Sequence, residues 1–263
     1  MYEFDYTRPT SLDDAARGLG DADANLVAGG MTLIPTLKMR LAKPSQLIDL
    51  GAIPALKGIS EDGDAVVIGA MTRHAEVNRS AVVRAAIPAL AALAGMIGDP
   101  AVRNRGTIGG SIANNDPAAD YPAAVVGLNA VVRTNKREIA ADSFFTGLFE
   151  TALGDGEIVT GVRFPKPQAA NYQKFKNPAS RYAIVGVFVA RSAGGVRVAV
   201  TGAGACVFRV PAMEAALAAN FTPDAIKDIQ IPDTDLNSDI HASAEYRAHL
   251  VTVMARRAVA ACA

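Results

Sequence analysis

Cysteine is scarce in this chain of 263 residues: there are two, Cys206 and Cys262, far apart in sequence. Two thiols cannot supply the four ligands of an ordinary iron–sulfur cluster or structural zinc site. Each reads instead as a small hydrophobe, buried or partly buried. Histidine is as sparse, with His74, His241 and His249 scattered along the chain, so no metal site is expected. Neither sign of charge is in excess, since 26 Lys and Arg balance 26 Asp and Glu. A general nucleic-acid binder carries a basic surplus, so that class is set aside. Near neutrality, little self-repulsion opposes burial against partner subunits. No apolar run approaches the roughly 20 residues that span a bilayer. The start Met1-Tyr2-Glu3-Phe4-Asp5 has neither the basic nor the apolar region of a secretory signal, and a cytoplasmic location is the expectation.

What is present is the makeup of an ordinary globular protein, half apolar and one-fifth charged. The length fits one large domain or two modest ones. Ser11 followed by Asp14 predicts a helix over residues 12–19. A short apolar strand at 25–28 runs into Gly29-Gly30, a helix follows over 33–39 with Pro35 tolerated early, and a strand occupies 46–50. This is a βαβ pattern. A hairpin is predicted from 55–59 and 65–70 around Asp62-Gly63, then an Ala-rich helix at 82–95. A glycine-rich stretch at 106–111 precedes a helix at 122–128, with strands near 130–133 and 157–164. Pro165-Lys166-Pro167 breaks any regular element. Beyond it, 184–191 and 196–201 read as an antiparallel hairpin, and the remainder as helical, ending in a long helix over 244–261.

The two Gly-Gly segments carry the chemistry. Backbone N–H groups bind phosphate economically, because they bring donors without adding a titratable charge. Glycine turns them inward at positive φ and offers no Cβ to block approach, and a following helix points its positive end at the anion. Ala28-Gly29-Gly30-Met31-Thr32 and Thr107-Ile108-Gly109-Gly110-Ser111 both have these parts. A single Gly-Gly is ordinarily just a tight turn. Two, each flanked by hydroxyls, could clamp a pyrophosphate from opposite sides. Neither is a G-x-G-x-x-G or a P-loop, and Gly202-Ala203-Gly204-Ala205-Cys206-Val207 lacks the third glycine and follows an antiparallel hairpin.

Ala28-Gly29-Gly30-Met31-Thr32-Leu33-Ile34-Pro35, with Lys38, Arg40 and Leu41 after it, resembles the first FAD loop of the flavin-binding medium subunits of molybdenum hydroxylases, typified by carbon monoxide dehydrogenase and xanthine dehydrogenase. Arg105-Gly106-Thr107-Ile108-Gly109-Gly110-Ser111-Ile112-Ala113-Asn114, continuing through Asp116 to Asp120, resembles the second. Lys174-Phe175-Lys176 and Ser180-Arg181-Tyr182-Ala183 look like the segment beside the isoalloxazine, and Glu245-Tyr246-Arg247 with Arg256-Arg257-Ala258 resembles the C-terminal helix signature. The likeness covers nearly the whole chain in order. Met31 stands where some relatives carry a polar residue, and Arg181 where an acidic one is common.

The resemblance implies an α+β protein: a two-subdomain FAD-binding fold of the PCMH, or vanillyl-alcohol-oxidase-like, type, followed by a C-terminal α+β domain with an antiparallel sheet. The expected units are 1–54, 55–166 and 167–263. It implies that FAD is held by Ala28, Gly29, Gly30, Met31, Thr32, Leu33, Thr107, Gly109, Gly110, Ser111, Asn114, Asp116, Asp120, Lys174 and Tyr182. Asp120 would accept from ribose hydroxyls or order the adenosine half, the alternative being a cap on the helix after it. Lys174 would set positive charge by the flavin N1–C2=O edge, and Tyr182 would lie across the ring. His74 reads as structural, behind a Thr72 helix cap. No residue is expected to be a general acid or base, because the flavin carries the redox chemistry.

The implied partners are a molybdopterin-binding large subunit and a small subunit with two [2Fe–2S] clusters, in a dimer of heterotrimers. Two other readings remain open at this point: a stand-alone NAD(P)H-dependent flavin oxidoreductase, and a flavin-free structural subunit. The substrate of the complex and its electron acceptor are not written in this chain.

Overall fold

A computed structural model describes residues 1–21 and 23–262. The first fifty residues build a small parallel sheet. Its elements are β1 (Asp5–Thr7), α1 (Leu12–Gly18), β2 (Ala24–Val27), α2 (Leu33–Lys38) and β3 (Gln46–Asp49), with strand order β1-β3-β2. Ser11 caps α1 by accepting the Asp14 N–H. The expected βαβ unit is β2–α2–β3, with β2 and β3 parallel. Strand β1, short and exposed throughout, has no apolar pattern by which sequence could reveal it.

Next come β4 (Ile59–Asp62), β5 (Ala65–Gly69), α3 (His74–Arg79), α4 (Ala81–Ala86), α5 (Pro88–Met96), α6 (Pro100–Arg103), α7 (Ile108–Asn114) and α8 (Tyr121–Gly127). They are followed by β6 (Val131–Thr134), β7 (Glu138–Ala140), α9 (Ala141–Phe144), β8 (Phe145–Gly147), β9 (Glu150–Thr151) and β10 (Val159–Pro165). Five strands form an antiparallel sheet in the order β4-β5-β10-β6-β7. Three expectations shift here. The hairpin strand starts only at Ile59, because Pro54–Leu56 form a 3-10 turn. The Ala-rich helix is two helices, since Pro88 drives Ile87 out of the helical region (φ −142°, ψ 70°). Thr72 does not cap α3: its hydroxyl bonds Gly58, and the Arg73 N–H donates to the Glu76 carboxylate instead.

The last unit comprises β11 (Ala169–Lys176), β12 (Ala183–Ser192), β13 (Gly195–Thr201), β14 (Phe208–Arg209), α10 (Pro211–Ala219) and α11 (Ala244–Ala261), with a four-stranded antiparallel sheet in chain order. Ser243 caps α11. The expectation of helix throughout the remainder fails, because residues 227–243 form no regular helix.

Alternation along β12 glues the sheet to both neighbours. Val185, Val187 and Val189 pack with Met213, Val251 and Met254 of the C-terminal helices, while Phe188 and Ala190 join the core around α5 and α8. A smaller cluster of Ala15, Ile48, Leu50, Ile53 and Leu56 underlies the parallel sheet.

Candidate functional site

Where the units meet lies a cleft of about 480 Å³, within the range of ordinary ligand sites. Ala28, Gly29, Gly30, Met31, Thr32, Leu33, Thr107, Gly109, Gly110, Ser111, Asn114, Asp116, Asp120 and Tyr182 all line it. These residues come from three separate stretches of chain. Lys174 is absent from the wall.

The first glycine segment joins β2 to α2. Gly30 adopts φ +71°, which a side chain would resist. Among the described residues, the backbone N–H groups of Gly29, Gly30, Met31, Thr32 and Leu33 bond to no protein acceptor. Five consecutive unpartnered donors at the start of a helix are groups able to bond an anion. Thr32 adds a hydroxyl with no capping bond of its own.

The second segment is built differently. Sequence reasoning left 106–111 as a glycine-rich stretch before a helix at 122–128, but α7 begins at Ile108, so Gly109 and Gly110 are its first turn. Its N–H groups are largely committed. Ile108 donates to Thr72 O, Gly109 to Ala70 O (2.8 Å), Ser111 to Thr107 O, and Gly110 to Thr107 Oγ1 (3.2 Å). Gly109 is glycine for packing, since a Cβ there would lie 2.5 Å from Ala70 Cβ. Gly110 is open on the cleft side: an added Cβ would stand 3.0 Å from Thr107 Oγ1 and 3.5 Å from Ala28 Cβ, filling the space between the segments. The segments also touch directly, because a Cβ on Gly29 would lie 2.3 Å from Arg105 O.

The far wall is held by the C-terminal sheet. The Thr201 hydroxyl donates towards Pro117 O and Ala119 O, the Gly202 N–H to Pro117 O, and the Ala183 N–H to Ala118 O. Asp116 caps this turn by accepting from the Ala118 N–H. Asp120 is buried, and both its oxygens meet protein donors: Tyr172 Oη at 2.6 Å and Lys174 Nζ at 2.9 Å. It makes no cap bond to α8. Lys174, expected to bring charge to the flavin edge, has its ammonium buried against Asp120 and Met96 O. Its charge is neutralised behind the wall. Gly186 makes this possible, since a Cβ there would collide with Tyr172 Oη at 2.2 Å.

Electrostatics follow from burial. Desolvation pushes the Asp116 carboxyl upward against the pull of the Ala118 N–H. Desolvation also raises Asp120, with Lys174 and Tyr172 pulling the other way. Tyr182, half exposed at the cleft mouth, is raised by burial and by the nearby Asp116 and Asp120. Sequence reasoning passed over several lining residues. Leu26, Leu50, Met71 and Ile158 give an apolar wall, and no motif marks them because they belong to the small N-terminal core. His74 also lines the cleft, although a lone histidine carries little signal.

Comparison with known proteins agrees with this geometry. Residues 2–167 match the family described as "FAD binding domain in molybdopterin dehydrogenase". The chain is 38% identical over 269 residues to a nicotine 6-hydroxylase medium subunit of Paenarthrobacter nicotinovorans, covering 97% of this chain and 95% of that one. It is 36% identical over 274 residues to a carbon monoxide dehydrogenase medium chain of Hydrogenophaga pseudoflava, with 97% and 96% covered. A solved carbon monoxide dehydrogenase from Hydrogenophaga pseudoflava, lacking the Mo-pyranopterin moiety, superposes with a TM-score of 0.90 at 37% identity, covering 99% of this chain and 97% of that one. Sequence match, fold and cleft converge on one conclusion: the chain belongs to the family of FAD-binding domains of molybdopterin dehydrogenases.

Proposed function

We propose that this cleft holds one FAD, and that the chain is the flavin subunit of a molybdenum-containing hydroxylase or dehydrogenase. The observation that carries the reading is the run of five N–H groups from Gly29 to Leu33 without a protein acceptor among the described residues, in a cleft that Gly110 also lines. A hydrogen bond to a charged acceptor contributes about 1.5–3 kcal/mol, so this run is the strongest anion-binding feature of the cleft. The pyrophosphate would lie there, with the Thr32, Thr107 and Ser111 hydroxyls as further donors. The apolar wall of Leu26, Leu50, Met71 and Ile158 suits the flat adenine, leaving the isoalloxazine to the end bearing Tyr182, Asp116 and Asp120. The bound flavin would supply the electron-transfer chemistry, and the protein its orientation and the charge around it.

The units 1–54, 55–166 and 167–263 would then be two FAD-binding subdomains of the PCMH type and a C-terminal domain. The division follows the three main sheets, although the cores interlock: Leu56, Met71 and Ile158 pack with the first unit, and Tyr172 and Phe188 with the second. Relatives named as medium subunits or medium chains support partner subunits, read here as a molybdopterin-binding large subunit and a [2Fe–2S] small subunit; a dimer of heterotrimers and a cytoplasmic location belong to the same proposal. No described helix is long and apolar enough to cross a membrane.

The test is to purify the chain, record its visible spectrum, and release and identify the cofactor. A chain that stays colourless after incubation with excess FAD would overturn the reading. Co-purification with a molybdenum-containing chain is the expected mark of the subunit role. NAD(P)H turnover by the isolated chain would favour a stand-alone reductase instead.

A further inference from the structure

Beside the second glycine segment lies a histidine that the assignment of the pyrophosphate to backbone and hydroxyl donors leaves unused. His74 opens α3 and is 4% exposed, yet it lines the cleft. Its backbone is zipped to the segment opposite: the His74 N–H donates to Gly106 O, and Arg73 pairs with Thr107 in an antiparallel bridge. The ring lies so close to Gly106 that a Cβ there would stand 2.5 Å from Nε2. Glycine at 106 therefore makes room for the imidazole.

Among the described residues, no protein group hydrogen-bonds either ring nitrogen, and Nδ1 is wholly buried. The ring's neighbour is Tyr121, 5.3 Å away between centroids, whose buried hydroxyl is also unpartnered. A buried unpaired polar atom is rare in a folded protein. A neutral imidazole has one donor and one acceptor nitrogen. Orphaned acceptors are tolerated better than orphaned N–H groups, so the proton belongs on Nε2, the nitrogen against Gly106, with Nδ1 left as the bare acceptor. Among the described residues no carboxylate is bonded to the ring, and burial, with the Arg103 charge adding to it, lowers the imidazole pKa to about 4.

We infer that His74 is a further FAD-binding residue, whose neutral imidazole donates its Nε2–H to a polar oxygen of the pyrophosphate–ribityl stretch where that stretch passes Gly106 and Thr107. This rests on the cleft being the FAD site. It adds a side-chain donor to a segment whose own N–H groups are mostly committed elsewhere.

The test uses the full chain labelled with 15N-histidine and titrated with FAD, following flavin binding by visible absorption. His241 and His249 are exposed, so the third imidazole signal is that of His74. The expected result is a protonated Nε2 whose shift moves as flavin binds. His74→Phe keeps the ring packing on Tyr121 and removes the donor, and is expected to weaken FAD binding about tenfold. His74→Gln, whose amide nitrogen can reach the Nε2 position, should recover most of that loss, and His74→Asn should not. Flavin binding to the wild type with no movement of the His74 signals would overturn the inference and leave the FAD site standing, as would wild-type affinity in His74→Phe. Failure of the wild type to bind FAD at all would overturn both.

Discussion

In the first glycine segment, the N–H groups from Gly29 to Leu33 bond to no acceptor among the described residues. In the second, those of Ile108, Gly109, Gly110 and Ser111 each donate to a protein oxygen. The two look alike as sequence and face each other across one cleft, but one wall is free and the other is tied. The tied wall extends through Pro117–Asp120, which the C-terminal sheet holds by three backbone acceptors and a buried ion pair. A free wall can give all its donors to a ligand. A tied wall fixes the distance at which that ligand is gripped, so the glycines of the two motifs answer different needs: Gly30 reaches a positive φ, whereas Gly109 admits a close neighbour.

The strongest tie is Lys174 to Asp120, and Lys174→Met should have the largest effect. Removing one partner leaves an uncompensated buried charge, at a cost of about 3–5 kcal/mol. The pH dependence gives a signature. Asp120 is already raised by burial, and loss of the ammonium raises it further. A carboxyl raised in the folded state takes up a proton more readily there than in the unfolded chain, so its destabilisation is relieved as pH falls. The melting-temperature gap between Lys174→Met and wild type should therefore narrow as pH drops from neutrality toward the ordinary carboxylate range. A gap independent of pH would show that the pair contributes only packing.

Adjacent glycines of the tied wall should separate fold from binding. In Gly109→Ala the new methyl meets the Ala70 backbone and side chain, and such overpacking costs about 1–3 kcal/mol. Denaturant unfolding should show the loss. Gly110→Val projects into the cleft toward Ala28 and presses on the capping Thr107 Oγ1, 3.0 Å from the new Cβ. Its stability should fall by no more than the roughly 1 kcal/mol of a lost cap, while FAD content falls to background. Normal FAD content in a folded Gly110→Val chain would break the comparison, because the open side of α7 would then not face the ligand.

The same contrast marks what sequence could reveal. The glycines with their hydroxyls stand out as a local motif, and the Ser11 cap and α11 follow from residues close together in the chain. The wiring behind the wall does not. Asp120 meets Tyr172 and Lys174 across 52 and 54 residues, and nothing local distinguishes a lysine that will be buried beside a carboxylate from one that faces a cofactor. The N–H groups of α7 were misjudged for a similar reason, since their acceptors Ala70 and Thr72 lie on a separate stretch of chain that folding brings alongside.

The smallest effects come from the two threonines, and they test the comparison most directly. Thr107 Oγ1 is the N-cap of α7 and accepts the Gly110 N–H. Thr107→Ala should cost about 1 kcal/mol of folding stability, the usual value for a lost cap. Thr32 stands at the same point of α2 but makes no capping bond, so Thr32→Ala should leave the unfolding midpoint unchanged. Its hydroxyl matters only when an anion lies against the five free N–H groups, and its loss should then weaken FAD binding a few-fold, as expected for one hydrogen bond. Calorimetric unfolding with and without FAD reads both quantities at once, because a ligand that binds only the folded chain raises its stability by mass action. The free wall requires that Thr32→Ala differ from wild type only when FAD is present, and that Thr107→Ala differ in both conditions. Equal losses in the absence of FAD would mean that the first segment, too, is held by the protein before any ligand arrives.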